Sequence, residues 1–533
     1  MGGGTAPQAP PRYNEMVTKT SPPASPTVGF ISLGCPKNLV DSEVMMGLLD
    51  RAGARLTSHP EDAEILVVNT CSFIDTAKQE SIDTILEMAR HKTTGAAKKL
   101  IVAGCLVERY RDEIRKRIPE VDAVVGTGEL DAILEAAGLQ APAAVSPFNI
   151  LSGHAQAEVH PGQESLSATH RHTHAHEHEP PATALGRGSS NARTASSRFS
   201  RDAWQGATHF LPTYLYDETT PRFLTTPKSS AYIKIAEGCD HPCSSCVIPN
   251  LRGKFRSRRF DSVIAEARQL VARGASEITL IGQDTTCYGE DLGLKDGLAT
   301  LLDTLAAIPN LRWLRFLYAY PNRITSRLLD TITRHSNICK YIDLPLQHAS
   351  PSILKRMKRG GSPEIFLETL EKVRATIPGV ALRTSFIAGF PGESSADYIL
   401  LEDFIKEAKF DWLGVFNYSD EEGSAAFSLD GKLPKRTIES RKNKLMKLQQ
   451  SISKRAKQKW VGRELVVLAE GESEETPLLW EGRTQFHAPE IDGKLYINDF
   501  GDLPALEPCR FYRAQITEAH DYDVVARILG GPL

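Results

Sequence analysis

Three cysteines stand in the loop EGCDHPCSSC: Cys239, Cys243 and Cys246, spaced CxxxCxxC. Thiolates packed that closely repel one another and need a shared cation. A structural zinc wants four ligands, and His241 could be the fourth only if the short loop folded back on itself. Three cysteines around a 4Fe-4S cluster leave one iron open, and an open iron can bind substrate. An open 4Fe-4S site is the expectation, with zinc and unrelated thiols as the alternatives.

A second set is dispersed: Cys35 in SLGCPKN, Cys71 in VNTCSF and Cys105 in VAGCLV. The intervals are 36 and 34 residues, one strand–helix unit each. All three fall at the C-terminal end of a strand-like run. Neighbouring parallel strands lie about 4.8 Å apart, so the thiols can converge over one sheet edge. The alternative is three buried structural cysteines, since free cysteine is among the most buried residue types. That alternative does not account for three matching strand-end positions. Cys287, Cys339 and Cys509 fit neither pattern; Cys339 and Cys509 are read as structural, and Cys287, in QDTTCYGEDLG, as inert packing with an approach to the chemistry as the alternative.

The elements that must position these residues are legible as periodicity. Residues 1–27 read as a disordered tail of Pro, Gly, Ser and Thr. From residue 28 to 141 an apolar strand followed by an amphipathic helix repeats four times, with strands at Val28–Leu33, Glu64–Val68, Lys99–Ala103 and Ala123–Val125. That alternation implies a parallel sheet with right-handed crossovers. Residues 142–227 break the pattern and read as an inserted disordered linker, carrying seven of the fifteen histidines between His154 and His178. His172, His174, His176 and His178 alternate and could hold a metal weakly; the plainer reading is a solvated spacer. The end of that stretch, LPTYLYDETTPRFLTTPKS, has aromatic and proline anchors and is expected to lie against the next domain.

Strand–helix alternation resumes six times across 228–458, with strands at Ala231–Ala236, Glu277–Ile281, Trp313–Leu317, Tyr341–Leu346, Ala381–Ile387 and Trp412–Tyr418. Six such units suggest a partial (β/α)6 barrel. The CxxxCxxC loop then follows the first barrel strand, the end where barrel enzymes carry their chemistry. A long basic helix closes this part; Lys432–Lys459 has eleven Lys/Arg and one Glu. From 459 to 530 short alternating strands with Gly, Asp and Pro turns read as a small antiparallel β-barrel. Residues 461–530 hold six Lys/Arg against fourteen Asp/Glu.

Composition sets the outer limits. The chain has 533 residues, 41% hydrophobic and 24% charged, which excludes a fibrous or wholly disordered protein. Its net charge of −3 gives no bulk basic character of the kind nucleic-acid binders show. No run approaches the ~20 apolar residues of a membrane span, and the Pro-rich N-terminus lacks the apolar core of a signal peptide. A cytoplasmic monomer is the expectation, with its nine cysteines as thiols or metal ligands rather than disulfides.

At this point the residues resemble a known family. A CxxxCxxC loop opening a six-fold βα barrel is similar to the radical S-adenosylmethionine (SAM) superfamily. A preceding α/β domain with three dispersed cysteines and a following small β-barrel, the TRAM module, resemble the methylthiotransferases. The strings SLGCPKNLVDSE, IAEGCDHPC, IPNLRGKFRSR, GQDTTCYG, YIDLPLQH, RTSFIAGFPGE, FNYSDEEGSAA and EGRTQFHAPEIDG are similar to the branch that modifies an aspartate of the twelfth small-subunit ribosomal protein. The tRNA branch usually has GCQMN where this chain has GCPKN at Gly34–Asn38.

The resemblance implies two 4Fe-4S clusters and SAM as cofactors. Cys239, Cys243 and Cys246 would hold the cluster that binds and reductively cleaves SAM. Cys35, Cys71 and Cys105 would hold a second cluster that delivers sulfur. The resulting radical removes hydrogen from an aspartate β-carbon, which has no acidity that acid–base groups could use; the cofactor carries the hard step. An electron donor and a sulfur donor are implied as partners. Gln283, Asp284, Gln347, Arg383, Ser385 and Gly389 are implied as SAM contacts; the alternative is ordinary strand-end polar residues, and the turn Gly389–Glu393 has enough turn formers to be only that. The family commonly has an aromatic residue before the third loop cysteine, and this chain has Ser245.

Charge bears on the substrate separately. The acidic barrel is a poor surface for RNA, whose affinity comes largely from Lys/Arg on phosphates, and suits a basic ribosomal protein. The basic helix points the other way, unless it is a solvated face with Ile438, Leu445, Leu448 and Ile452 packed inward. A tRNA methylthiotransferase and a non-catalytic iron–sulfur protein stay open as alternatives.

Overall fold

In the computed structural model the described residues are 25–140, 212–476 and 478–533. Of the tail expected over 1–27, residues 1–24 lie outside them, while Thr27 already belongs to the first strand; most of the linker and its histidine tract also lie outside them.

The N-terminal domain is a five-stranded parallel sheet, ordered β2-β1-β3-β4-β5. Its strands are β1 (Thr27–Ser32), β2 (Arg55–Thr57), β3 (Ile65–Thr70), β4 (Lys99–Gly104) and β5 (Ala123–Val125). Four were expected; β2 is an extra edge strand of three residues, too short to show alternation. Leu66, Val67 and Val68 on β3, and Leu100, Ile101 and Val102 on β4, are all fully buried, because helices cover both faces of a parallel sheet. Helix α1 (Pro36–Arg51) is buried almost all round, including Asp41, Ser42 and Glu43. It is wedged between this sheet and the next domain.

The central domain has six parallel strands in two runs of three. Ser230–Lys234, Glu277–Ile281 and Trp313–Phe316 form one; Tyr341–Asp343, Ala381–Ala388 and Trp412–Asn417 form the other. The Leu314–Ile338 bridge joins them into an open barrel. Outward-facing Leu382 and Phe386 pack on the helices, while Arg383 and Ser385 alternate onto the inner face. The chain enters this domain across a clamp. Arg222 pairs with Glu43 of α1 (2.6 Å) and Glu266 of the barrel (2.7 Å), so residues 212–229 lie against both domains rather than the second alone. The long helix Lys435–Gln458 buries Ile438, Leu445 and Ile452 against the barrel edge, with Leu448 partly buried.

The C-terminal barrel closes through Glu464–Glu472, Trp480–Thr484, Leu495–Asp499, Val524–Ile528 and Arg510–Ala519. It is antiparallel except for one pair: Leu495–Asp499 runs parallel to Val524–Ile528, which shuts the ring. Its loop after Trp480–Thr484 inserts into the N-terminal mouth of the central barrel. Arg483 meets Glu277 at 2.7 Å, Arg315 donates to Gln485 O at 3.0 Å, and Trp412 Nε1 donates to Phe486 O at 2.8 Å. The base of the barrel is thereby plugged.

Candidate active site: two cysteine triads and the charged bridge between them

Each member of the dispersed triad sits at a strand end, as its sequence position implied. Cys35 caps α1, Cys71 follows β3, and Cys105 is the first residue of the helix Cys105–Arg117. Two of the three thus stand at helix N-termini, the positive end of the dipole, though burial holds the Cys105 thiol above its ordinary range. A polar lattice fixes the backbone beneath them. Asn38 Nδ2 donates to Leu33 O at 2.6 Å, Ser72 Oγ to Cys105 O at 3.0 Å, and Ser81 Oγ to Cys71 O at 2.9 Å. Gly34 has φ +91°, and a Cβ there would sit 2.8 Å from that of Cys71. Burial first, then repulsion from Cys105 and Cys35, pushes the Cys71 thiol well up. Such a group ionises only when a cation neutralises it.

The CxxxCxxC loop has the same electrostatics. Burial, with repulsion from Cys243, raises Cys239 to about 11; burial, with Cys243 and Cys239, raises Cys246 to about 12. Arg359 donates to Cys243 Sγ at 3.3 Å and lies over the Tyr320 ring at 4.7 Å. Tyr320 stacks on His241 at 4.0 Å. Among the described residues, the trio of candidate ligands that closes to 4.8 Å is His241, Asp284 and Cys287. Each cysteine triad offers three sulfurs and, among the described residues, no fourth protein ligand, a donor set that fits a cluster with one open iron better than a four-coordinate structural zinc. His241 turns to Asp284 (2.6 Å), not into the triad as a fourth ligand.

The expected SAM contacts divide. Gln283 donates to Glu237 Oε1 at 2.6 Å, and its own buried Oε1 has no partner among the described residues. An orphaned buried acceptor beside the cluster loop fits an incoming ammonium group. Asp284 sits at the same strand end but is engaged by His241, by Thr286, and by Cys287 Sγ at 2.9 Å. Cys287 therefore touches the site rather than only filling space. Gln347 has φ 72° and bridges to Phe386, beside Ser385. Gly389 N donates to Glu393 at 2.7 Å, and a Cβ there would strike Ile438 of the long helix at 2.4 Å. Arg383 lies deeper, paired with Asp343 (2.8 Å) and with Asp492 of the plug (3.5 Å).

The sequence reading missed the bridge between the triads. The five-residue helix Ile248–Arg252 follows Cys246 and ends on Cys105; Val247 and Leu251 pack on that cysteine, and Arg252 donates to its Sγ at 3.5 Å. Arg252 also pairs with Asp41 (2.6 Å) and Glu237 (3.2 Å), and Lys234 joins both carboxylates. Two cations and two anions thus close a buried quartet that ties α1 to the first barrel strand. Lys37 of α1 lies 3.3 Å over the Tyr318 ring at the barrel mouth.

Three family models match the chain: uncharacterized protein family UPF0004 over 27–126, the radical SAM superfamily over 233–405, and the TRAM domain over 461–529. The chain is 60% identical over 523 residues to "Ribosomal protein uS12 methylthiotransferase RimO" of Koribacter versatilis, covering 98% of this chain and all of the relative. Relatives of the same name from Solibacter usitatus (54%, covering 94% of each chain) and Geobacter sulfurreducens (42%, covering 95% of this chain and 99% of the relative) also match. A solved radical SAM methyltransferase, TsrM from Kitasatospora setae, aligns at 14% identity over 73% of each chain with TM-score 0.44. One cysteine triad on three neighbouring strand ends and a second in a single loop, linked through the short helix Ile248–Arg252, are thus set in a full-length match to one enzyme group: the chain belongs to the RimO family of radical SAM methylthiotransferases, enzymes that use SAM and two 4Fe-4S clusters.

Proposed function

We propose that this enzyme adds a methylthio group to the β-carbon of an aspartate in ribosomal protein uS12, the substrate in its relatives' names. The observation that carries the reading is the Arg252 bridge, which places the two cysteine triads at the ends of one short helix. Cys239, Cys243 and Cys246 hold one cluster, and Cys35, Cys71 and Cys105 hold the other. When bound, these groups supply the electron that cleaves SAM and the sulfur that is transferred.

The protein's own part is to bind, orient and exclude. Gln283 Oε1 accepts from the SAM ammonium group, with Asp284, Gln347, Ser385 and Gly389 completing that strand-end rim. Arg383 orients the rim from below through Asp343. Arg359 and Arg252 each aim a guanidinium at a cysteine sulfur, which offsets thiolate charge in a dry site. Tyr320, stacked on His241 and covered by Arg359, supplies an aromatic surface beside the loop, where Ser245 itself offers no ring. The plug seals the barrel base, so substrate enters from the mouth.

The functional units are a tail (1–27), a cluster domain (28–141), a linker (142–227), the radical SAM core (228–458) and the TRAM barrel (459–530). The protein works as a cytoplasmic monomer, drawing on separate electron and sulfur donors. Among the described residues no helix is long and apolar enough to cross a membrane. The excess of acidic over basic residues on the TRAM barrel supports a basic protein substrate over tRNA.

The test is iron and sulfide analysis, SAM cleavage, and mass spectrometry of uS12, each with two triple variants. Ala at Cys239, Cys243 and Cys246 removes one cluster and abolishes SAM cleavage. Ala at Cys35, Cys71 and Cys105 removes the other, preserves SAM cleavage and stops methylthiolation. Full methylthiolation by the second variant would refute the role of the N-terminal domain.

A further inference from the structure

The helix Lys435–Gln458 turns one face to the barrel and leaves the opposite face uncovered. Ile438, Leu445, Gln449, Ile452 and Ser453 are buried. Opposite them, at helical spacing, run Arg436, Ser440, Lys444, Lys447, Ser451 and Lys454, all exposed. Arg436, Lys444 and Lys447 have no acidic partner among the described residues; Lys454 lies 3.3 Å from Asp521. The interleaved positions are serines, whose short side chains let a partner backbone approach. The strip is about 27 Å long at 1.5 Å per residue.

Its placement works against the helix. The first turn holds Lys435 and Arg436 and no acidic residue, so cations sit on the positive end of the dipole. Helix stability alone would put Asp or Glu there. An anionic partner reverses the sign of that interaction, because phosphates bind well at a helix N-terminus flanked by basic side chains. The helix also runs the length of the core. Arg441 holds Glu393 of the turn after Ala381–Ala388, at the mouth, and Lys457 lies 3.5 Å over Trp412, which opens the last strand at the base. The strip therefore flanks the mouth on one side, while the acidic TRAM barrel sits at the other end. A ribosomal particle presents both complements, phosphate backbone and basic protein.

We infer that this strip binds the phosphate backbone of small-subunit ribosomal RNA beside the protein substrate. The inference rests on the uS12 reading above. A helix face carrying four unshared or loosely shared cations fits a regular polyanion, because counterion release rewards each neutralised phosphate.

Binding would be measured for the cluster-loaded full chain against deproteinised small-subunit ribosomal RNA and against intact small subunits, over a range of salt. The variant Arg436→Glu/Lys444→Glu/Lys447→Glu is compared with the wild type and with the Gln triple variant. Losing three phosphate contacts lowers the slope of log affinity against log salt by about 2 to 3, and the affinity by about tenfold or more. Iron content, circular dichroism and methylthiolation of isolated uS12 stay at wild-type levels. Wild-type-like RNA binding by the Glu variant would overturn the inference. So would nuclease-resistant binding to the subunit that the Glu variant loses, which would make the partner a protein. If the wild type binds RNA as described but never modifies uS12, the substrate reading fails and the RNA strip stands.

Discussion

Arg252 donates to Cys105 Sγ at 3.5 Å, across 147 residues of chain. The same Nη2 also donates to Asn38 Oδ1, Nη1 pairs with Asp41 and Glu237, and the residue is 2% exposed. One guanidinium therefore serves two tasks: it closes a buried ion quartet between domains and faces the sulfur of a cluster ligand.

Replacing it separates those tasks. Arg252→Met leaves Asp41 and Glu237 sharing Lys234 alone, and breaking a buried charge set costs about 3–5 kcal/mol. Arg252→Lys keeps the charge but loses the planar fork. Denaturant unfolding under anaerobic conditions should show the full loss for Met. For Lys, iron analysis should show the N-terminal cluster depleted while the Cys239 cluster persists.

Gly34→Ala tests the packing under the first triad. At φ +91° an L-residue is strained, and its Cβ would press on Cys71 at 2.8 Å. Strain of about 1–3 kcal/mol is expected. The visible spectrum should fall from two clusters toward one, with SAM cleavage retained and methylthiolation lost.

The plug makes a separate prediction. Glu277 is fully buried and neutralised by Arg483 (2.7 Å) and Arg315 (3.3 Å). Arg483→Met removes the nearer partner from a desolvated carboxylate, at about 3–5 kcal/mol. Limited proteolysis should then release the TRAM barrel from the core faster than in wild type.

Lys457 supplies the pH dependence. It is 1% exposed, and burial lowers it from 10.5 to about 8, only partly offset by Asp411. Between those values the unfolded chain binds a proton that the folded chain does not, so stability rises with pH through that window. Lys457→Met should stabilise the protein at pH 7 by about 1–3 kcal/mol, and the gain should shrink as pH climbs from 8 toward 10.5. A gain that stays constant across that range would contradict the assigned titration.

Much of this was readable from periodicity. The six barrel strands follow apolar runs, and both triads follow from cysteines at strand ends. Edge strand β2 was not readable, because three residues show no alternation. Arg252 lies in the string IPNLRGKFRSR, yet nothing local announces a cysteine 147 residues away as its partner. The same holds for Arg483 and Glu277, separated by 206 residues. Charged side chains look solvated in a sequence; only tertiary pairing shows which are buried. Asp284 was legible as a strand-end polar residue, but its hydrogen bonds to His241, Thr286 and Cys287 were not, because all three depend on how the loops fold over the strand end.

The loop that stoppers the barrel base has a consequence for how the enzyme measures its target. Because Arg483, Gln485, Phe486 and Asp492 are bonded into the core, the TRAM barrel cannot swing on a tether. It stands at a set distance and angle from the cysteine loops. The barrel and the mouth are then like the fixed jaws of a caliper: a target long enough to reach both would meet them at one spacing.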